Sequence, residues 1–305
     1  EIMPSLVGSE MCIRDRFGAL SDKSFILDAI KLLKEEKHVY AIVAPAIASQ
    51  FAYAKLGQVV TGIKQLGFYE VVEAALGADM VAYAEAKELA EKGFLTSSCC
   101  PAFVSYVHKQ FPMLSENVSH NMSPMATIAK FIKGMDKEAK TIFIGPCTAK
   151  KGEAQLPGVR EYVDCVMTFE ELQAVLDSRE IDLTTLEETD LDNASGFGRS
   201  FARCGGLAEA AVEALKEQGI DFAVKPVSCS GIEECRLALL KASKGRAEGN
   251  FIEGMACIGG CINGAGCLTH GERNKNKIDA HSRQAKDKTI VESLHEAETG
   301  LEAAK

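Results

Sequence analysis

Apolar and polar positions along this chain follow one rhythm in some stretches and another in others. In "SDKSFILDAIKLLKEEK" the residues Ile26, Ile30 and Leu33 recur at helical spacing, which predicts a helix capped by Ser21 or Asp22. "HVYAIVAPAI" is too uniformly apolar for a half-exposed strand and predicts a buried one. "IKQLGFYEVVEAA" reads as helical or mixed, and "DMVAYAEAKELAEKG" as a helix ending at Gly93. "FLTSSCC" predicts a strand running into a loop, with a helix from about Phe103, and "TIFIGPC" a further strand that ends in a cysteine. "VDCVMTFEELQAVLDSR" is strand then helix, Thr168 being the cap and Glu171 its reciprocal partner three residues on. A Gly-rich turn and long helix follow in "FGRSFARCGGLAEAAVEALKEQG". Strand, turn and helix follow in "DFAVKPVSCSGIEECRLALLKASKG", and the last strand is "FIEGMAC". Beyond His270 the chain turns polar and closes with a short amphipathic helix.

Strands alternating with helices indicate an α/β protein with one parallel sheet or a pair of them. The 305 residues suffice for one large domain or two lobes. No internal repeat or low-complexity linker interrupts the pattern. The opening "EIMPSLVGSEMCIRDR" has no period, so residues 1–16, including Cys12, are expected to be a non-native leader.

Charge narrows the partners. A formal net charge of −9, with no basic block, argues against nucleic acid and anionic membrane surfaces. The longest apolar run, "VYAIVAPAIASQFAYA", is broken by Pro45 and is too short to span a bilayer. With no secretory leader pattern, a cytoplasmic location is expected.

Eleven cysteines is a high count, and an odd one for a closed disulfide framework. Clustered thiols in a reducing compartment are more often metal ligands or catalytic groups. Three clusters end predicted strands: "TSSCCPAF", "IGPCTAKKGEA" and "MACIGGCINGAGC". Sites in open α/β sheets form outside the carboxyl ends of strands. Gly259 and Gly260, between Cys257 and Cys261, would let backbone wrap an inorganic cluster. With Cys100 and Cys147 they make four thiolates, the complement of a [4Fe–4S] cluster. Structural zinc also takes four cysteines, but usually as paired C-x₂-C knuckles, which are absent. Cys165 and Cys235 read as buried small hydrophobes and Cys229 as a turn residue.

These segments resemble the three signature motifs of the [FeFe]-hydrogenase catalytic domain: T-S-C-C-P, P-C-x-x-K-x-x-E and E-x-M-x-C-x-x-G-C. Here they are Thr96–Pro101 with one extra Ser, Pro146–Glu153 and Glu253–Cys261. The resemblance runs from about Phe17 to His270. It implies two lobes of mainly parallel sheets flanked by helices, lobe one over 37–160 and lobe two over 161–270, with the cofactor in the cleft between them. Residues 17–36 would be the end of a lost ferredoxin-like domain and a connecting helix, and 271–305 a C-terminal polar segment and helix. The cofactor implied is the H-cluster, a [4Fe–4S] cluster joined to a diiron subsite with CO, cyanide and azadithiolate. Further [4Fe–4S] clusters would lie upstream.

By the same resemblance Cys100, Cys147, Cys257 and Cys261 would hold the cluster, Cys261 bridging to the diiron subsite. Cys99 would pass protons to the subsite amine. Glu85, Ser119 and Glu88 would relay those protons, with Lys92 at the entrance. Taken alone, Glu85 and Glu88 read as solvated carboxylates. Lys150 would bond a cyanide nitrogen, while Lys151 is expected at the surface. Met255 and Phe201 would give apolar lining, and Ala44, Pro45, Pro146 and Ser123 would complete the pocket. Cys204 would stand near the subsite, and Cys267 is a remote ligand candidate. Gly145, Met125 and Cys267 replace residues of the best-studied subgroup and resemble group B. The implied activity is reversible reduction of protons to H₂, with ferredoxin or another carrier supplying electrons and maturation proteins supplying the cofactor. A redox or H₂ sensor, and an iron–sulfur assembly protein without the diiron subsite, are the alternatives.

Overall fold

A computed structural model describes residues 22–303. The expected leader at 1–16, Cys12 and the candidate cap Ser21 lie outside the described residues. Seven strands form: β1 (Val39–Val43), β2 (Glu70–Glu73), β3 (Leu95–Thr96), β4 (Lys140–Gly145), β5 (Cys165–Thr168), β6 (Pro226–Ser230) and β7 (Phe251–Met255). The helices are α1 (Ile26–Glu35), α2 (Leu56–Gln65), α3 (Ala74–Lys92), α4 (Pro101–Gln110), α5 (Pro124–Met135) and α6 (Ala149–Glu153). They continue as α7 (Phe169–Ser178), α8 (Gly196–Ser200), α9 (Gly206–Glu217), α10 (Ile232–Ser243), α11 (Arg273–Arg283) and α12 (Ile290–Ala303).

The strands make two wholly parallel sheets, β2-β1-β4-β5 and β3-β7-β6. In the first, Val72, Ile42, Phe143 and Val166 stand in register across all four strands and are buried. Continuous apolar strands suit a parallel sheet covered on both faces. Each such side chain contributes roughly 1.5–3 kcal/mol on burial. The second sheet separates two apolar clusters: one holds Leu89, Leu207 and Ala211 from α3 and α9, the other Phe103, Val107 and Leu239 from α4 and α10.

Strand pairing corrects the expected lobe boundary. β5, beyond residue 160, closes the first sheet, whereas β3, well before it, belongs to the second. Neither sheet is a contiguous half of the chain. The two are joined by α3, whose first turn packs in the first core (Ala74, Ala75, Leu76) and whose later turns pack in the second (Ala78, Ala82, Ala86, Leu89). Small side chains permit that. A Cβ at Gly77 would lie 2.3 Å from the Pro124 carbonyl oxygen of α5.

Local readings fared unevenly. Thr168 accepts from Glu171 N at 3.1 Å and Glu171 accepts from Thr168 N at 2.8 Å, the reciprocal cap expected for α7. α3 ends at Gly93 with φ +76°. α1, however, starts at Ile26 with Phe25 in the N-cap position; Ser24 Oγ accepts from Ile26 N at 3.3 Å, and Asp22, three residues before the cap, pairs with Lys151. α4 starts at Pro101, earlier than expected, proline being favoured in a first turn. Cys229 lies in β6 and not in a turn. Among the described residues no helix is long and apolar enough to cross a membrane.

Candidate functional site

Loops leaving the carboxyl ends of β1, β3, β4 and β7 surround one cavity of about 810 Å³. Cys99, Cys100, Cys147, Cys257 and Cys261 all line it. Cys100 is the N-cap of α4, with Pro101 starting the helix; Cys147 follows β4 directly, after Pro146. Cys257 and Cys261 flank Gly259 and Gly260, whose φ values are +81° and +95°. Gly260 allows a close approach as well: a Cβ there would meet Cys204 N at 2.7 Å and the Met255 sulfur at 2.8 Å. A side chain at this position would push the Cys257–Cys261 loop off the strands behind it.

The thiols affect one another. Burial, and then Cys100, push the Cys147 thiol up to about 11. Burial followed by Cys147 and Cys100 raises Cys261 further. A dry group of thiols that oppose one another's ionisation needs positive charge among them before it can become thiolate, and metal supplies that. Among the described residues, no three His, Cys, Asp or Glu side chains converge tightly enough to hold a single ion. The four thiols that line the one cavity match in number and kind the donor set of a [4Fe–4S] cluster.

A line of polar groups leads outward from Cys99. The Cys99 thiol is raised well above its ordinary value by burial and then by Glu85. Glu85, on α3, is 0 % exposed and neither of its oxygens makes a hydrogen bond. Burial lifts its carboxyl to about 8. Ser119 stands near Glu85 and offsets part of that rise without completing a hydrogen bond to it. The Ser119 hydroxyl donates to Glu88 Oε2 at 3.1 Å, and its own amide is fixed on the Thr96 carbonyl at 2.8 Å. Glu88 is half-buried and receives Lys92 Nζ at 2.9 Å and Asn121 Nδ2 at 2.9 Å. Although burial opposes its charge, Lys92 and the His120 amide hold its pKa below the ordinary range. The i,i+3 spacing of Glu85 and Glu88 thus gives one neutral-leaning inner acid and one ionised outer acid.

Lys150 is buried on the cavity wall, donating to the Cys99 carbonyl at 3.2 Å and to Glu153 Oε2 at 2.6 Å. Burial works against its charge, but Glu153 outweighs it and raises the pKa. Ala44, Pro45, Pro146, Phe201 and Met255 also line the cavity. Ser123 does not. It occupies the N-cap position of α5 without bonding the helix, beside a separate cavity of about 230 Å³, its hydroxyl buried and unbonded. Lys151 corrects the expectation of a surface residue: it is 6 % exposed and paired with Asp22 and Glu171. Cys267 is buried against the carbonyls of Cys261 and Ile262 and is not among the lining residues, nor is Cys204.

One contributor had no role assigned from sequence. Glu253, fully buried in β7, accepts from Gly205 N at 2.9 Å, Ala208 N at 3.2 Å and Ser228 Oγ at 2.9 Å. It ties the first turn of α9 and strand β6 to the strand that leads into Cys257. A carboxylate in an otherwise apolar strand was the available signal.

Fold and site together define an α/β protein of two parallel sheets whose strand ends close on a thiol-lined cavity. The chain belongs to the family described as iron only hydrogenase large subunit, C-terminal domain, whose model matches residues 37–265. Family membership implies an iron–sulfur cofactor and an oxidoreductase type of protein. The chain is 30 % identical over 320 residues to iron hydrogenase 1 of Clostridium pasteurianum, covering 86 % of this chain and 55 % of that protein. It thus spans about half the length of that relative. It is also 24 % identical over 309 residues to the cytosolic Fe-S cluster assembly factor narfl of Danio rerio, covering 80 % of this chain and 75 % of that one. A variant of the [FeFe]-hydrogenase HydA1 from Chlamydomonas reinhardtii shares the fold, with a TM-score of 0.74 at 22 % identity over 90 % of this chain and 93 % of that one.

Proposed function

We propose that this chain is a hydrogenase catalytic domain that interconverts protons, electrons and H₂ (2H⁺ + 2e⁻ ⇌ H₂). Cys100, Cys147, Cys257 and Cys261 hold the [4Fe–4S] part of the H-cluster. When bound, the cofactor supplies the redox-active irons at which H₂ is made or consumed. The chain supplies the proton path and the dry pocket. Cys99 exchanges a proton with the cofactor side, Glu85 holds the next one, Ser119 passes it, and Glu88 meets solvent beside Lys92. Lys150 offers an ammonium to an anionic cofactor, and Phe201 and Met255 exclude water. Ferredoxin or another carrier delivers electrons, through further upstream clusters in the intact protein. Maturation proteins install the diiron subsite, and the setting is the cytoplasm.

The observation that carries this reading is Glu85: a buried, unbonded carboxyl lifted to about 8, next to Cys99 and leading by Ser119 to the surface. Storing clusters needs no such group, whereas proton delivery at neutral pH does. Similarity to an assembly factor supports the second reading, in which the thiols carry a cluster without a diiron subsite. Infrared spectroscopy after co-expression with maturation proteins separates the two. The hydrogenase reading expects metal-bound CO and cyanide bands together with H₂ evolution, and Cys99→Ser is expected to keep the bands and lose the turnover. Iron–sulfur absorbance with no such bands would establish the second reading instead. Bands with no turnover in the unaltered chain would point to a sensor.

A further inference from the structure

Behind the loop that carries Cys257 and Cys261, the segment "PVSCSGIEECRLALL" holds two thiols that the proposed chemistry does not use. Cys229 in β6 stands in register with Gly254 of β7, and Cys235 lies one turn into α10. The Cys235 thiol donates to the carbonyl of Met255, the residue after Gly254, at 3.6 Å. The Cys229 thiol donates to the Val227 carbonyl at 3.7 Å. The Cys235 amide also donates to the carbonyl of Gly231, the residue that follows β6, at 3.2 Å, so the two cysteines are folded back toward each other inside one apolar cluster with Phe103, Val107 and Ile252. Both cysteines are free and no more than 2 % exposed.

The residues between them form the bed of the ligand loop. Ser230 Oγ accepts from Gly259 N at 2.8 Å, and Gly231 N donates to the Met255 carbonyl at 2.8 Å. Gly231 has φ +95°, and a Cβ there would meet the Ile258 side chain at 2.9 Å. Any change in the relation of Cys229 to Cys235 acts on this bed.

We propose that Cys229 and Cys235 are a redox pair that closes to a disulfide under peroxide, and that closure alters the seating of the Cys257–Cys261 loop. The two thiols share that cluster, and the neighbouring Cys235 favours the thiolate of Cys229 while Cys229 and burial disfavour that of Cys235. Cys229 is therefore the attacking group. Its thiolate takes one oxygen of H₂O₂; the O–O bond breaks, hydroxide leaves, and Cys229 becomes a sulfenic acid. The Cys235 sulfur then attacks the Cys229 sulfur, the S–O bond breaks and the S–S bond forms. The hydroxide and the sulfenic hydroxyl, each carrying one hydrogen of the peroxide, take the two thiol protons and leave as two waters, so two thiols and one H₂O₂ give one disulfide and two H₂O. Two electrons pass from the sulfurs to the peroxide oxygens. Burial of the pair selects a small oxidant of this class over a bulky disulfide. Closure also consumes the S–H that holds the Met255 carbonyl.

The test uses the full reduced chain, with and without its iron–sulfur cluster, treated anaerobically with limited H₂O₂. Unfolding, alkylation, trypsin digestion and mass spectrometry follow. The peptide 217–236 contains both thiols. The expected result is an unalkylated peptide short of two hydrogens and restored by dithiothreitol, while the solitary buried Cys165 and Cys267 alkylate as before. Hydrogen exchange across 257–261 is expected to quicken on oxidation, and not in Cys235→Ser. Full alkylation of both thiols after peroxide, or a bond from Cys229 to Cys204, would overturn the pair. A cross-link with unchanged exchange at 257–261 would overturn the coupling to the loop. The cross-link is expected whether or not a cluster is loaded, so its absence and failure of the hydrogenase reading are separate results.

Discussion

Glu85 shows at the scale of one residue how much a carboxyl's behaviour depends on what surrounds it. Its ordinary value is 4.5 and burial holds it at about 8, so between these values the folded chain keeps a proton that the unfolded chain has released. The associated stability is fully present below about 4.5 and is lost as the pH rises through about 8. Asp79, raised to about 7 by burial despite bonds from Ser195 and Ser293, acts in the same direction. The urea midpoint is therefore expected to fall from about pH 5 to about pH 8, and Glu85→Gln to flatten that slope by an amount on the order of a few kcal/mol. An unchanged slope in the variant would contradict the assigned ionisation. The same substitution is expected to lower H₂ evolution by about 100-fold or more. From sequence, the shared helical face of Glu85 and Glu88 was legible. That only Glu85 lacks a partner was not, because its burial comes from residues far along the chain. Lys151 was misread for the same reason: Asp22 lies 129 positions away from it.

At the level of elements, short-range features were readable and strand pairing was not. The reciprocal cap of α7 involves residues three apart and stood in the sequence; Thr168→Ala is expected to cost about 1 kcal/mol in a urea titration. Glu171→Ala is expected to cost more, since it also removes a partner of buried Lys151. The three thiol loops were legible because a cysteine beside proline or paired glycines is a sparse, recognisable signal. The assignment of β3 and β5 to sheets was not legible, because it depends on contacts between remote segments. Gly260 links backbone conformation to the site. Gly260→Ala combines a positive φ with contacts of 2.7 and 2.8 Å, and the expected outcome is reduced iron content after reconstitution in a chain that remains folded. Full iron content would show that the loop has room to spare.

Across the whole molecule, a buried ionic knot fastens the first sheet to the C-terminal helices. Arg199 of α8, 1 % exposed, is bidentate to Glu73 at the end of β2, bonds Asp192, and donates to the His281 carbonyl of α11 at 3.2 Å. Arg199→Met takes the bidentate partner from buried Glu73, which keeps only the Asn193 amide and the His281 ring beside it, an expected loss of about 3–5 kcal/mol that added salt barely changes. Adding Glu73→Gln is expected to recover part of it, and chemical denaturation of the single and double variants reads both. The knot was not anticipated, since its members span positions 73 to 281.

The central place of β7 has a temporal consequence. β3 and β6 both pair with β7 and not with each other, and β7 leads directly into the last two cavity thiols. A nascent polypeptide that has shown the ribosome's exit only as far as β6 therefore has three of the five cavity thiols, and no second sheet on which to hang the rest. The proposed four-thiol site is complete only once synthesis has passed residue 261, so on that reading iron can be held only after the last strand of the second sheet has been made.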